Sequence, residues 1–105
     1  MSKYRYRYRN NSGSTQRCLA AMKYLINVGK IKYVKGYMSK NNHPYVLVVG
    51  ENGSSRFNGF YWGYSGEGPR GLIKLLEYLD VDNITIHAVI NSSCHTHWKV
   101  DLCTN

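Results

Sequence analysis

Pro44-Tyr-Val-Leu-Val-Val-Gly50-Glu-Asn-Gly53 is the stretch on which the fold turns. Tyr45 to Val49 is a five-residue apolar run, and no apolar run of the chain is longer. It is far short of the roughly 18–20 residues of a membrane span, and its valines suit a buried strand over Pro44 to Gly50. Asn52-Gly53 is a strong hairpin turn, leading into a second strand over Arg56 to Gly63.

Working upstream, Lys30 to Met38 reads as another strand. Before it, a helix is expected from about Thr15 to Asn27, capped by Ser12 or Ser14, with Leu19, Met22, Leu25 and Ile26 inward and Gly29 closing it. Asn10-Asn-Ser-Gly-Ser14 is a turn cluster. Lys3-Tyr-Arg-Tyr-Arg-Tyr-Arg9 alternates strictly, so a strand there puts Tyr4, Tyr6 and Tyr8 on one face and Lys3, Arg5, Arg7 and Arg9 on the other.

Downstream, Gly63-Tyr-Ser-Gly-Glu-Gly68 is a glycine loop. Pro69 opens a helix that ends near Leu79, with Leu72, Leu75, Leu76 and Leu79 inward. Asn83 to Ile90 and His97 to Cys103 complete the count as strands. The expected fold is α+β, a single domain over 1–105 with a largely antiparallel sheet of six to eight strands and two helices. The order strand, helix, strand, strand then runs twice, over 1–50 and 54–103. An offset of 53 positions pairs Ser12 with Ser65, Gly13 with Gly66, Arg17 with Arg70 and Ile31 with Ile84. This is either a β-α-β-β duplication or the shared look of two strand–loop–helix units.

Charge divides the chain at one residue. The net charge is +8 over 105 residues, yet residues 1–50 hold ten basic residues and no acid, and Glu51 is the first carboxylate. Residues 51–105 hold four basic residues against six acids. Such asymmetry points to an anionic partner. With 43% hydrophobic residues the chain lies outside the disordered range. The Tyr/Arg N-terminus has no signal-peptide apolar region, and three cysteines are too few and too uneven for a disulfide framework. A reducing, cytoplasmic setting is expected.

The candidate chemistry centres on Gly63-Tyr-Ser-Gly-Glu-Gly-Pro-Arg70. A helix start offers free backbone N–H groups to an anion, glycines permit close approach, and Arg70 can fork onto a phosphate. No Gly-Lys-Ser/Thr follows, so it is not a P-loop, and the spacing is not that of a dinucleotide fingerprint. Ser65, Gly66, Gly68 and Arg70 are the expected phosphate ligands. Phe60, Trp62 and Tyr64 alternate onto one side of the preceding strand, where they would stack a base or fill the core. Ser14 and Arg17 occupy the matching positions at the first helix start, and Arg7 and Arg9 would add charge.

Cys94, His95, His97 and Cys103 have metal-ligand chemistry but lack paired Cys-x-x-Cys spacing, so no metal is expected. A Cys94–His95 nucleophile pair would point apart on a strand, and nothing fixes His43 or His87 as acid or base. No catalytic residue and no cofactor is assigned, and the protein is not expected to be an enzyme.

With Arg9-Asn-Asn-Ser-Gly-Ser14 and Gly63-Tyr-Ser-Gly-Glu-Gly-Pro-Arg70 at its two helix starts, this small basic chain resembles the phage anti-Thoeris sponge family. That resemblance implies sequestration, without cleavage, of cyclic ADP-ribose-type or cyclic nucleotide immune signals in the host cytoplasm. It also implies a homo-oligomer with pockets between protomers. The function expected first is therefore non-enzymatic capture of a small phosphorylated nucleotide. The alternatives are an RNA- or DNA-binding protein that uses the Tyr/Arg strand, or an inhibitor of a host enzyme.

Overall fold

A computed structural model describes residues 6–93 and 96–102. The order is β1 (Tyr6–Asn10), α1 (Thr15–Ala20), a 3₁₀ segment (Ala21–Val28), β2 (Ile31–Met38), β3 (Pro44–Gly50) and β4 (Gly53–Phe57). Then come α2 (Glu67–Tyr78), α3 (Asn83–Ile90) and β5 (Trp98–Asp101). The class is α+β as expected. Among the described residues five strands form one mixed sheet in the order β1-β4-β3-β2-β5, fewer than the six to eight expected, and there are three helices rather than two. Three strand pairings are antiparallel, whereas β1 lies parallel to β4 at the sheet edge.

The hairpin turn forms one residue earlier than the expected Asn52-Gly53, and the strand after it begins at Gly53 rather than Arg56. Gly50 pairs with Gly53, Glu51 and Asn52 make the turn, and Gly53 at φ +155° opens β4. This turn also anchors its neighbours: the Glu51 N–H donates to the Lys30 carbonyl, Asn52 N–H to Val28, and Tyr6 N–H to Asn52.

Two elements depart from the sequence reading. Asn83 to Ile90 is helix α3, not a strand. Asp82 caps it, accepting from the Thr85 N–H at 3.2 Å and the Thr85 hydroxyl at 2.6 Å. Burial of Val81, Ile86 and Val89 against the other helices overrides the β-preference of Ile, Thr and Val. The second departure is at Phe57, where the strand expected to run to Gly63 stops, with Asn58 and Gly59 bending away. The second half thus runs helix, helix, strand after β4, and Ile31 of β2 matches Ile84 of a helix. The repeated element order that supported a duplication is absent.

The first helix is capped by Ser14, whose hydroxyl accepts from the Arg17 N–H, and Gly29 ends the run at φ +77°. Beyond Ala20 it tightens to 3₁₀ geometry, which turns the apolar stripe. Cys18, Ala21, Leu25 and Val28 are buried, whereas Ile26, expected inward, is 79% exposed. The buried residues of the sheet lie on one face: Val34 and Gly36, Val46, Val48 and Gly50, and Gly53, Ser55 and Phe57. They join Leu72, Leu75, Leu76, Ile86 and Val89 of the helices in one core. The helices therefore cover one side of the sheet, and among the described residues no element covers the opposite, open side.

Candidate nucleic-acid interface

Two glycines in the first turns of α2 serve packing. Gly68 is buried against the Tyr61 ring, and a Cβ on Gly71 would lie 3.1 Å from Phe60. Phe60 is fully buried and Trp62 is 1% exposed, with its indole N–H donating to the Thr96 carbonyl. These two rings are core, because the segment carrying them is an irregular connection rather than an alternating strand. Tyr64 is half-exposed and lies 6.3 Å from Tyr61. Ser65 and Arg70 face solvent, and Gly66 caps α2 without a side-chain bond.

The structure does bring the two helix starts together. The Gln16 amide donates to Glu67 at 2.9 Å, and the Thr15 hydroxyl donates to the Gly59 carbonyl at 2.6 Å. Thr15, Gln16, Leu19, Glu67, Arg70, Gly71 and Lys74 line a cleft of about 150 Å³ between them. That is half the lower end of ordinary ligand pockets, roughly 300–1,000 Å³. Arg17 is exposed on α1, and the partly buried Ser14 is spent as its cap. Burial raises the Cys18 thiol above its ordinary value, so it stays protonated as a packing group. Cys94, His95 and Cys103, like Lys3, Tyr4 and Arg5, lie outside the described residues. His87 and His97 are exposed, and the described residues contain no group of three His, Cys, Asp or Glu able to hold a metal.

Arg7 and Arg9 belong to a different surface. Tyr8 packs inward on Tyr24 and Phe57 (5.4 and 6.1 Å between centroids), so alternation sends Arg7 and Arg9 to the open side. There the strand registers assemble a row that no single strand displays. Arg9 pairs with Arg56, Arg56 with Leu47, Leu47 with Lys35, and Lys35 with Lys99. Four cations thus cross all five strands in one transverse line, broken by one leucine. The next row is Arg7, Ser54, Val49, Tyr33 and Asp101. On the other side of the line, Tyr37 sits opposite Tyr45.

Local chemistry makes this line unusual. Like charges paired across a sheet are destabilising, yet the strand registers set Arg9 beside Arg56 and Lys35 beside Lys99. Among the described residues the one ion pair joins Lys99 to Asp101 at 3.6 Å, so the other cations have no carboxylate partner. They lean on rings instead. The Arg56 guanidinium lies 4.2 Å from the Tyr45 centroid, Lys99 Nζ 4.4 Å from Tyr33, and Lys35 Nζ 5.6 Å from Tyr37. Arg56 also donates to Asn11 at 3.3 Å, while its Nε, shielded from water, has no partner. None of the cations or tyrosines on this face is buried.

Sequence reasoning found Arg7 and Arg9 but missed Lys35, Arg56, Lys99, Tyr33, Tyr37 and Tyr45. A signal was present in β2, where Tyr33, Lys35 and Tyr37 alternate with Val34 and Gly36. Among the described residues no helix is long and apolar enough to cross a membrane. Compared with protein-family models, curated proteins and solved structures, the chain matches none.

Proposed function

We propose that the protein binds nucleic acid on the open face of its sheet. One observation carries this reading: a transverse row of four cations, two like-charged pairs among them, flanked by three partly exposed tyrosines. Folded proteins break local rules mainly where function requires it, and a polyanion would relieve the repulsion. Tyrosines beside the cations favour a nucleobase-bearing polyanion over a merely acidic surface. A second copy of the chain is a poor occupant, because self-pairing would bring the cation rows together.

The test is fluorescence anisotropy with a labelled oligonucleotide. Arg9→Glu combined with Arg56→Glu should abolish binding, whereas Arg70→Glu combined with Lys74→Glu should leave most of it. The reverse order of effects would overturn the assignment. A second reading, capture of a small phosphorylated nucleotide as the anti-Thoeris resemblance implies, is supported by Arg70 and Lys74 beside the α1–α2 cleft. It predicts intact nucleotide released on heat denaturation after incubation with cyclic nucleotides, and loss of that nucleotide in Arg70→Ala.

A further inference from the structure

We infer that the nucleic acid taken by this face is single-stranded, and that its bases stack on Tyr45 with Tyr37, and on Tyr33, by displacing the cations now covering those rings. The inference rests on the nucleic-acid reading above and adds the ligand class and the division of labour between rings and cations.

The width of the platform separates single from double strands. Five strands at about 4.8 Å spacing make a face about 19 Å across. The major groove of B-DNA is about 12 Å wide and admits a two-stranded ribbon, and that of A-form RNA is narrower and deep. A duplex laid on this sheet would touch the cations with its backbone and leave the tyrosines without bases. A single strand has unstacked bases to offer them.

The rings are placed for that use. Tyr37 and Tyr45 are cross-strand partners with centroids 5.7 Å apart and planes tilted by 31°, which together make one aromatic platform. Tyr33 stands four residues from Tyr37 along β2, about 13 Å away, on the far side of the cation row. A backbone following the row would therefore have an aromatic surface on each side.

Each of the three rings already carries a cation. A base stacking on the same ring face must move that cation, and the nearest new anion is the phosphate of the arriving strand. Arg56 has a donor to spare for it in its unpartnered Nε. Ring and cation thus supply the two halves of one nucleotide's recognition.

The test uses the full chain with labelled oligothymidylate of about twelve nucleotides and a duplex of equal length, each titrated at several salt concentrations. The single strand should bind at least about tenfold more tightly. Tyr45→Leu and Tyr33→Leu should each weaken it roughly tenfold with the salt dependence unchanged, while Tyr45→Phe and Tyr33→Phe keep affinity. Lys99→Ala should instead flatten the slope of log K against log salt by about 0.7, the value of one phosphate on a single strand. Equal affinity for duplex and single strand, or leucine variants with wild-type affinity, would overturn the stacking inference while leaving nucleic-acid binding in place. Binding of neither oligonucleotide, or binding indifferent to Arg9→Glu, would overturn the underlying reading as well. Thermal melting checks each variant's fold, and the phenylalanine variants keep the test decisive if a leucine variant melts early.

Discussion

Arg9 and Arg56 are register partners across β1 and β4, and like charges paired in this way are expected to cost the folded state stability. Replacing one of them by an acid turns a like-charge pair into an opposite one. Arg9→Glu should therefore stabilise the protein, by at most ~1 kcal/mol at this exposed position, while weakening nucleic-acid binding. Urea denaturation and anisotropy on the same sample would show the two effects moving oppositely, and a parallel loss of both would contradict the account. Gly36 is a residue of another kind. Trp98 lies directly over it and stands edge-on to Trp62, with centroids 5.7 Å apart and planes at 89°. A Cβ at Gly36 would occupy the space of the Trp98 indole, so Gly36→Val should cost about 1–3 kcal/mol by overpacking. Equilibrium unfolding would measure this cost, and tryptophan fluorescence would report the displaced ring.

At the scale of elements, α3 depends on its first turn because its β-branched residues give it little intrinsic helicity. Asp82→Ala should lower the melting temperature by a few degrees and remove amide protection from Ile84 to Ile86, as seen by hydrogen exchange. The Thr85 hydroxyl, and after it the Thr85 N–H, hold the Asp82 carboxyl below its ordinary 3.8. A depressed pKa means stability that is present above 3.8 and is lost as the pH falls through the folded-state value. Wild type should lose this contribution on acidification, and Asp82→Ala should show a correspondingly smaller loss below pH 3.8. The same helix shows what the sequence hid. Asn83 to Ile90 alternates well enough to read as a strand, and the Asp82 cap together with burial of Ile86 and Val89 decides otherwise. The hairpin, to within one residue, the Ser14 cap, and α2 with its leucines were legible because turn chemistry, capping and helical spacing are local. The cation row was not. Arg9, Leu47, Arg56, Lys35 and Lys99 lie on five different strands, and their alignment exists only once the parallel β1–β4 register is set.

For the whole molecule, the net charge of +8 acquires a location. Four of the six acids, Glu67, Glu77, Asp80 and Asp82, sit on or between the helices, whereas the open face sets Arg7, Arg9, Lys35, Arg56 and Lys99 against Asp101 alone. Splitting the chain into basic and acidic halves suggests a site where the halves meet. The halves do meet at Gln16 and Glu67, but the sheet gathers cations from both and turns them to the other side. A protein whose charge is concentrated this way should be stabilised by anions in proportion to their binding there, because a ligand bound only by the folded state adds RT ln(1 + [L]/Kd). A single-stranded oligonucleotide at about a hundred times its Kd should contribute roughly 2.7 kcal/mol, enough to raise the melting temperature by about 10 °C. Sodium chloride should act in opposite directions on the two states. It should modestly raise the melting temperature of the free protein by screening the Arg9–Arg56 repulsion, and it should shrink the shift produced by the oligonucleotide. Differential scanning fluorimetry over a grid of salt and oligonucleotide concentrations reads both effects at once. If salt left the free protein's melting temperature unchanged while Arg9→Glu still raised it, the stabilisation would come from something other than relieved repulsion, and the cation row would lose its claim to be strained in the absence of ligand.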